Sequence, residues 1–196
     1  IALQPETESC DAIVQAWYAG QEGGRAVADV LFGDYNPSGK LPVTFYKSSS
    51  QLPDYEDYSM KGRTYRYFND PLFAFGYGLS YTDFTIGDAK IKKHGDNHVI
   101  SIPLTNTGKL DGTEVVQVYI RDLSDAEGPL KSLRAFKRMP LRAGASATVD
   151  LTLTPESFAF FDPETNTVHS KQGKFEVLYG NSSLDKDLKK IDLIIK

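Results

Sequence analysis

From about Phe84 to the end of the chain, apolar residues fall on alternate positions in short runs, with turn residues every 8 to 12 positions. Ile100, Ile102 and Leu104 share one face, and Asn106-Thr107-Gly108 closes that run. Val116, Val118 and Ile120 follow the Asp111-Gly112 turn. Phe136, the series Ala147, Val149, Leu151 and Leu153, the pair Phe158 and Phe160, then Phe175, Val177 and Tyr179, and finally Ile191, Leu193 and Ile195 extend the pattern. A period of two places successive side chains on opposite faces of a strand, so each run has one buried and one outward face. Seven or eight such strands predict two antiparallel sheets packed face to face.

There is no Cys-Trp-Cys spacing, because the chain has a single cysteine, Cys10, and a single tryptophan, Trp17. The fibronectin type III-like form of the β-sandwich is therefore preferred over the immunoglobulin form for residues 84–196.

The first 47 residues read differently. Asp11–Tyr18 is short, apolar and rich in strand formers, which predicts a buried strand. Glycines at 20, 23 and 24 make a loop. Ala26, Val27, Val30 and Leu31 recur at helical spacing over 25–32, and Gly33 stands where a helix C-cap belongs. Asn36-Pro37-Ser38-Gly39 is turn chemistry, and Leu41–Tyr46 reads as a second strand. A β-loop-α-turn-β unit belongs to a sheet covered by helices on both faces. So small a unit buries too little surface to stand alone. The expectation is an incomplete α/β domain over residues 1–47, most of it lying upstream of Ile1. Residues 48–83 have no period; they form an irregular, Tyr-rich connecting segment with one short ribbon predicted at 63–68.

The glycines raise the question of phosphate binding. Gly33 and Gly39-Lys40 are separated by five residues where a P-loop needs four, and Leu41 stands where a magnesium-binding Ser or Thr is required. A helix precedes the loop, so no helix N-terminus faces a phosphate. Gly76-Tyr77-Gly78 lacks the third glycine of a dinucleotide fingerprint. With net charge −4 and scattered Lys and Arg, a nucleic-acid partner is not expected. No apolar run reaches the roughly 18 residues of a membrane span. His94, His98 and His169 are dispersed and Cys10 is alone, so neither a metal site nor a cofactor is expected. Asn181-Ser182-Ser183 has the form of an N-glycosylation sequon.

Taken together, "DAIVQAWYAGQEGGRAVADVLFGDYNPSGKLPVTF", "QLPDY", "GRTYRYF" and "PLFAFGYGLSYTDF" closely resemble the C-terminal region of glycoside hydrolase family 3, the β-glucosidases and β-xylosidases. The family usually has Pro where this chain has Ala19, which loosens the turn. The resemblance implies a TIM-like barrel, an α/β sandwich and a fibronectin-III-like domain in that order, this chain holding the end of the second and all of the third. It also implies a retaining, exo-acting β-glycosidase removing terminal β-linked glucose or xylose, glucose being the first expectation. A periplasmic or extracellular location follows from such substrates.

Retaining hydrolysis needs two carboxyl groups only about 5–5.5 Å apart. In the family the nucleophile belongs to the barrel and the acid/base lies upstream of the motif at Ala19, so no catalytic residue is assigned. Three residues are candidates for lining a sugar site. Glu22 follows a strand end, although a carboxylate there also suits a helix start. Arg63 and Tyr65 alternate charge with aromatic surface, which suits sugar hydroxyls and pyranose faces; the same residues can pin the segment by stacking. Trp17 and the acidic group Asp54, Glu56 and Asp57 fit core and solvated loop, respectively. The competing expectation is a non-catalytic carbohydrate- or protein-binding β-sandwich module.

Overall fold

The computed structural model describes residues 3–162 and 164–196. Among the described residues three α-helices lie in the first part: α1 (Gln4–Ser9), α2 (Gly23–Phe32) and α3 (Thr64–Tyr67). Among the described residues ten strands follow: β1 (Phe84–Ile86), β2 (Lys90–His94), β3 (Asn97–Asn106), β4 (Gly112–Asp122), β5 (Ser132–Leu141), β6 (Ser146–Leu153), β7 (Ala159–Asp162), β8 (Thr167–Ser170), β9 (Gly173–Gly180) and β10 (Leu188–Ile195).

One sheet is built on β3. β6 lines one edge of it, while β1 and β2 share the other, β1 opposite residues 104–106 and β2 opposite 97–101. The second sheet runs β10-β9-β4-β5, and β7 with β8 forms a separate hairpin. All pairs are antiparallel. The alternating residues meet between the sheets: Ile100, Ile102 and Leu104 from β3 with Val149 and Leu153 from β6 face Val116, Val118 and Ile120 from β4 with Phe175 and Val177 from β9. Each is essentially inaccessible, and burial of such a side chain stabilises the fold by about 1.5–3 kcal/mol. Phe158 and Phe160 close one end on Phe175.

The helix predicted at 25–32 forms as α2, and Gly33 caps it at φ 83°, a left-handed conformation that suits glycine. Both flanking strands are corrected. Asp11–Tyr18 forms no strand, and Ile13, Val14 and Tyr18 are exposed rather than buried. An apolar run becomes a strand only where another strand offers its N–H and C=O groups, and none of the described residues runs beside it. Leu41–Tyr46 is reduced to two points of contact with residues 72–77. Leu41 N–H donates to Tyr77 O at 2.8 Å, and Phe45 N–H donates to Phe73 O at 2.9 Å. Pro42 between them has no N–H to continue a ladder. The ribbon predicted at 63–68 is instead the single turn α3, entered through positive φ at Gly62 (71°) and Thr64 (55°).

Residues 36–46 and 72–82 are fastened to the β-sandwich by buried polar groups. Lys40 Nζ lies 2.8 Å from Glu114 Oε1, their side chains only 12% and 6% exposed, and it also donates to Gly78 O at 2.9 Å. Asn181 Nδ2 donates to the other Glu114 oxygen at 3.1 Å. Gln117, on the outer face of β4, donates to Gly76 O (3.1 Å) and Asn181 O (2.8 Å) and accepts from Tyr119 OH (2.5 Å). Asn36 completes the clamp, donating to Asp111 O at 2.9 Å and accepting from Ser80 Oγ and Tyr81 N.

Candidate functional site

Glu22 occupies the residue before α2, with its backbone at the helix entry and no side-chain capping bond. It is exposed. The same segment carries exposed apolar side chains: Trp17 is 48% exposed, Leu31 63%, Phe32 85% and Tyr18 fully so. Trp17, expected in a core, is thus at the surface, with φ 54°.

Arg63 is committed to its own loop. Its Nε donates to Ser59 O at 3.1 Å, and one terminal nitrogen reaches Asp57 O at 2.7 Å and Asp54 O at 3.3 Å. The guanidinium gathers the 54–63 loop around backbone carbonyls. Tyr65 leaves that loop altogether. Its ring stacks on Phe75 at 4.3 Å and meets Tyr119 edge-on at 5.7 Å, and its hydroxyl accepts from Leu133 N at 3.0 Å. The three candidates make separate sets of contacts: Glu22 stands exposed at the entry of α2, Arg63 within its loop, Tyr65 against the β-sandwich.

Two adjoining cavities lie where the irregular segment meets that β-sandwich. The first, about 300 Å³, is lined by Tyr65, Phe68, Thr44, Ala74 and the 183–186 turn; the second, about 270 Å³, lies over β9 and β10. They share Asn69, Lys131 and Asp185. Lys131 is buried, donates to Ser183 O at 2.8 Å and pairs with Asp185. Glu176, the other carboxylate here, pairs with Lys190 at 3.1 Å and Arg121 at 3.7 Å. Each carboxylate pairs with a cation, an arrangement that ties chain segments together. Among the described residues no group of His, Cys, Asp and Glu is set to hold a metal, and no helix is long and apolar enough to cross a membrane.

The sequon at Asn181 is not an open acceptor. Its amide is bonded to Glu114, and Ser182 and Ser183 are buried. Sequence reasoning also missed Glu114, Gln117 and Lys131. Gln117 lies on the face of β4 opposite Val116 and Val118, and it is covered by Gly76 and Asn181, distant in the chain.

The glycosyl hydrolase family 3 C-terminal domain matches residues 1–81, and the fibronectin type III-like domain matches residues 114–183. The chain belongs to glycoside hydrolase family 3. This family 3 chain is 66% identical, over its whole length, to a xylan 1,4-beta-xylosidase of Xylanibacter ruminicola, of which it covers 23%. It is 41% identical to a periplasmic beta-glucosidase of Salmonella typhimurium, with 93% of this chain and 26% of that protein aligned. Among solved structures, a family 3 beta-glucosidase from Bifidobacterium adolescentis superposes with a TM-score of 0.87 at 31% identity, covering all of this chain and 31% of that one. A beta-glucosidase from Kluyveromyces marxianus gives 0.86 at 33% identity over 98% of this chain and 25% of that one. The chain thus spans about a quarter of the length of the curated relatives. The expected class, α/β-type material followed by a fibronectin-III-like β-sandwich, is the class these matches give.

Proposed function

We propose that this chain is the supporting, non-catalytic part of a retaining exo-β-glycosidase that removes terminal β-linked glucosyl or xylosyl residues. The observation that carries the reading is the agreement of two family matches with relatives named for these two activities. The glucoside was the first expectation; the 66% relative, named a xylosidase, supports the xyloside equally. The reacting carboxylates are supplied by parts of the full-length protein that this chain does not span.

In this reading residues 1–47 belong to the α/β sandwich domain, 48–83 connect, and 84–196 form the fibronectin-III-like domain. The exposed flank at Ile13, Val14, Trp17, Leu31 and Phe32 packs against the remainder of the first domain. Glu22, on that side, borders the sugar site. Arg63 contributes by holding the 54–63 loop together, and Tyr65 by anchoring the connecting segment to the β-sandwich. The periplasmic name of one relative supports a periplasmic or extracellular location.

The test is the full-length protein on p-nitrophenyl β-D-glucoside and β-D-xyloside, with the product anomer followed by proton NMR. Hydrolysis of at least one with first release of the β-anomer is expected. Release of the α-anomer, or no hydrolysis of either, contradicts the reading. A second reading, the carbohydrate-binding module, draws on Phe136 and Phe161, exposed at 62% and 53%. Saturable binding of β-glucan oligosaccharides that both Phe→Ala variants abolish would favour it.

A further inference from the structure

The two adjoining cavities are parts of one groove, because Asn69, Lys131 and Asp185 stand in the walls of both. Segments distant in the chain build it, and they are stitched together. Leu130 N–H donates to Arg66 O at 2.7 Å, Leu133 N–H to the Tyr65 hydroxyl at 3.0 Å, and Ser183 N–H to Phe75 O at 2.9 Å. The second cavity lies on the outward face of the sheet. Glu176 and Leu178 alternate with the buried Phe175, Val177 and Tyr179; Arg121 lies opposite Glu176 on β4, and Lys190 opposite Leu178 on β10. The groove is formed before any ligand arrives, which spares binding the cost of ordering its walls.

Its lining has two characters. Tyr65, Phe68, Pro71, Leu178 and Leu188 supply apolar surface. The Tyr65 ring is held still by Phe75, stacked at 4.3 Å, and by Tyr119 at 5.7 Å. Polar groups stand among these side chains and reach solvent. Asn69 is exposed, and its amide has no hydrogen-bond partner among the described residues. The Asp185 side chain is 78% exposed and gives one oxygen to Lys131, while the other has no partner among the described residues. The side chains of Lys190 and Arg121 are 66% and 47% exposed, and Lys186 is exposed in the 183–186 turn.

The signs of these groups select the ligand. Glu176 and Asp185 in the wall repel an anion, and Lys131, Lys190 and Arg121 beside them repel a cation. Donors and acceptors set among apolar side chains complement an uncharged, polyhydroxylated ring instead. A pyranose turns its C–H faces to apolar and aromatic walls. Its hydroxyls, each both donor and acceptor, meet amide, carboxylate and ammonium groups. At about 300 and 270 Å³ the cavities stand at the small end of ligand pockets, roughly 300–1,000 Å³, so each suits one sugar unit.

We propose that this groove binds a short, uncharged oligosaccharide, one pyranose in each cavity, at a site separate from bond cleavage. The choice of β-linked sugars for its test rests on the glycosidase reading. Hydrolysis by the full-length protein tests that reading and binding to this chain tests the groove, so each can fail alone. The chain is titrated with xylobiose and, separately, with cellobiose, and its backbone and side-chain amide resonances are followed by NMR. Saturable shifts at Asn69, Lys131 and residues 184–186 are expected with at least one disaccharide, and Asn69→Ala weakens that affinity at least fivefold. Phe136→Ala, on β5 and outside the groove, retains it. Should Asn69→Ala fail to fold by circular dichroism, Lys186→Ala carries the same comparison. The proposal is overturned if neither disaccharide saturates, if the shifts lie at Phe136 and Phe161 instead, or if affinity in the folded variant matches the parent.

Discussion

At Gly76 one hydrogen occupies a place where a Cβ would stand 2.0 Å from Gln117 Oε1, and its φ of 77° is one that side chains disfavour. The Gln117 amide reaches two backbone carbonyls only because that space is open. Gly76→Ala is expected to destabilise the chain by about 1–3 kcal/mol, from strain and the displaced amide together, read as a lower urea midpoint. Lys40 tests the clamp by charge. Lys40→Met leaves Glu114 buried with its cation gone and is expected to cost about 3–5 kcal/mol. Adding Glu114→Gln to that variant recovers much of the loss, because no buried charge then remains. His98 is buried in β3, edge-on to Phe158 at 6.0 Å, with Nδ1 unpartnered. Burial first, and Lys93 second, lower its pKa from the ordinary 6.5. The unfolded chain therefore takes up a proton near pH 6.5 while the folded chain resists it, so stability falls as pH drops below that value and is unaffected by His98 above it. Urea midpoints at pH 7.5 and 5.5 should differ less in His98→Leu than in the parent.

At the scale of elements, what could be read from sequence followed from where each strand finds its partner. β3, β4, β6 and β9 pair with neighbours in this chain, and their period of two survived into the structure at Ile100, Val149, Val116 and Phe175. α2 carries its own hydrogen bonds and its own glycine cap, so it too was legible. Asp11–Tyr18 and Leu41–Tyr46 have strand composition, but a strand is a property of two segments, and composition does not reveal the second. Gln117 was not singled out for the same reason, since its partners Gly76 and Asn181 are distant in the chain. Arg63 and Tyr65 were legible as a chemical pattern, while their destinations, a loop of carbonyls and the face of β4, depended on Gly62 and Thr64 turning the chain. Ile102→Ala, which empties a fully buried position in β3, is expected to cost about 2–5 kcal/mol without changing the helical circular dichroism of α2.

For the whole molecule, a complete core between two sheets stands beside a first segment that offers Trp17, Leu31 and Phe32 to solvent. A buried ion pair and side-chain amides bind the two parts, so the β-sandwich acts as the base to which the 36–46 and 72–82 stretches are fixed. Under the proposed function such a molecule would support and border a sugar site whose bond-breaking carboxylates lie in other parts of the full-length protein. The most direct measurement is release of p-nitrophenol from the aryl β-glucoside and β-xyloside by the folded 196-residue chain alone. The account predicts a rate equal to buffer; turnover well above buffer by the purified chain would contradict it.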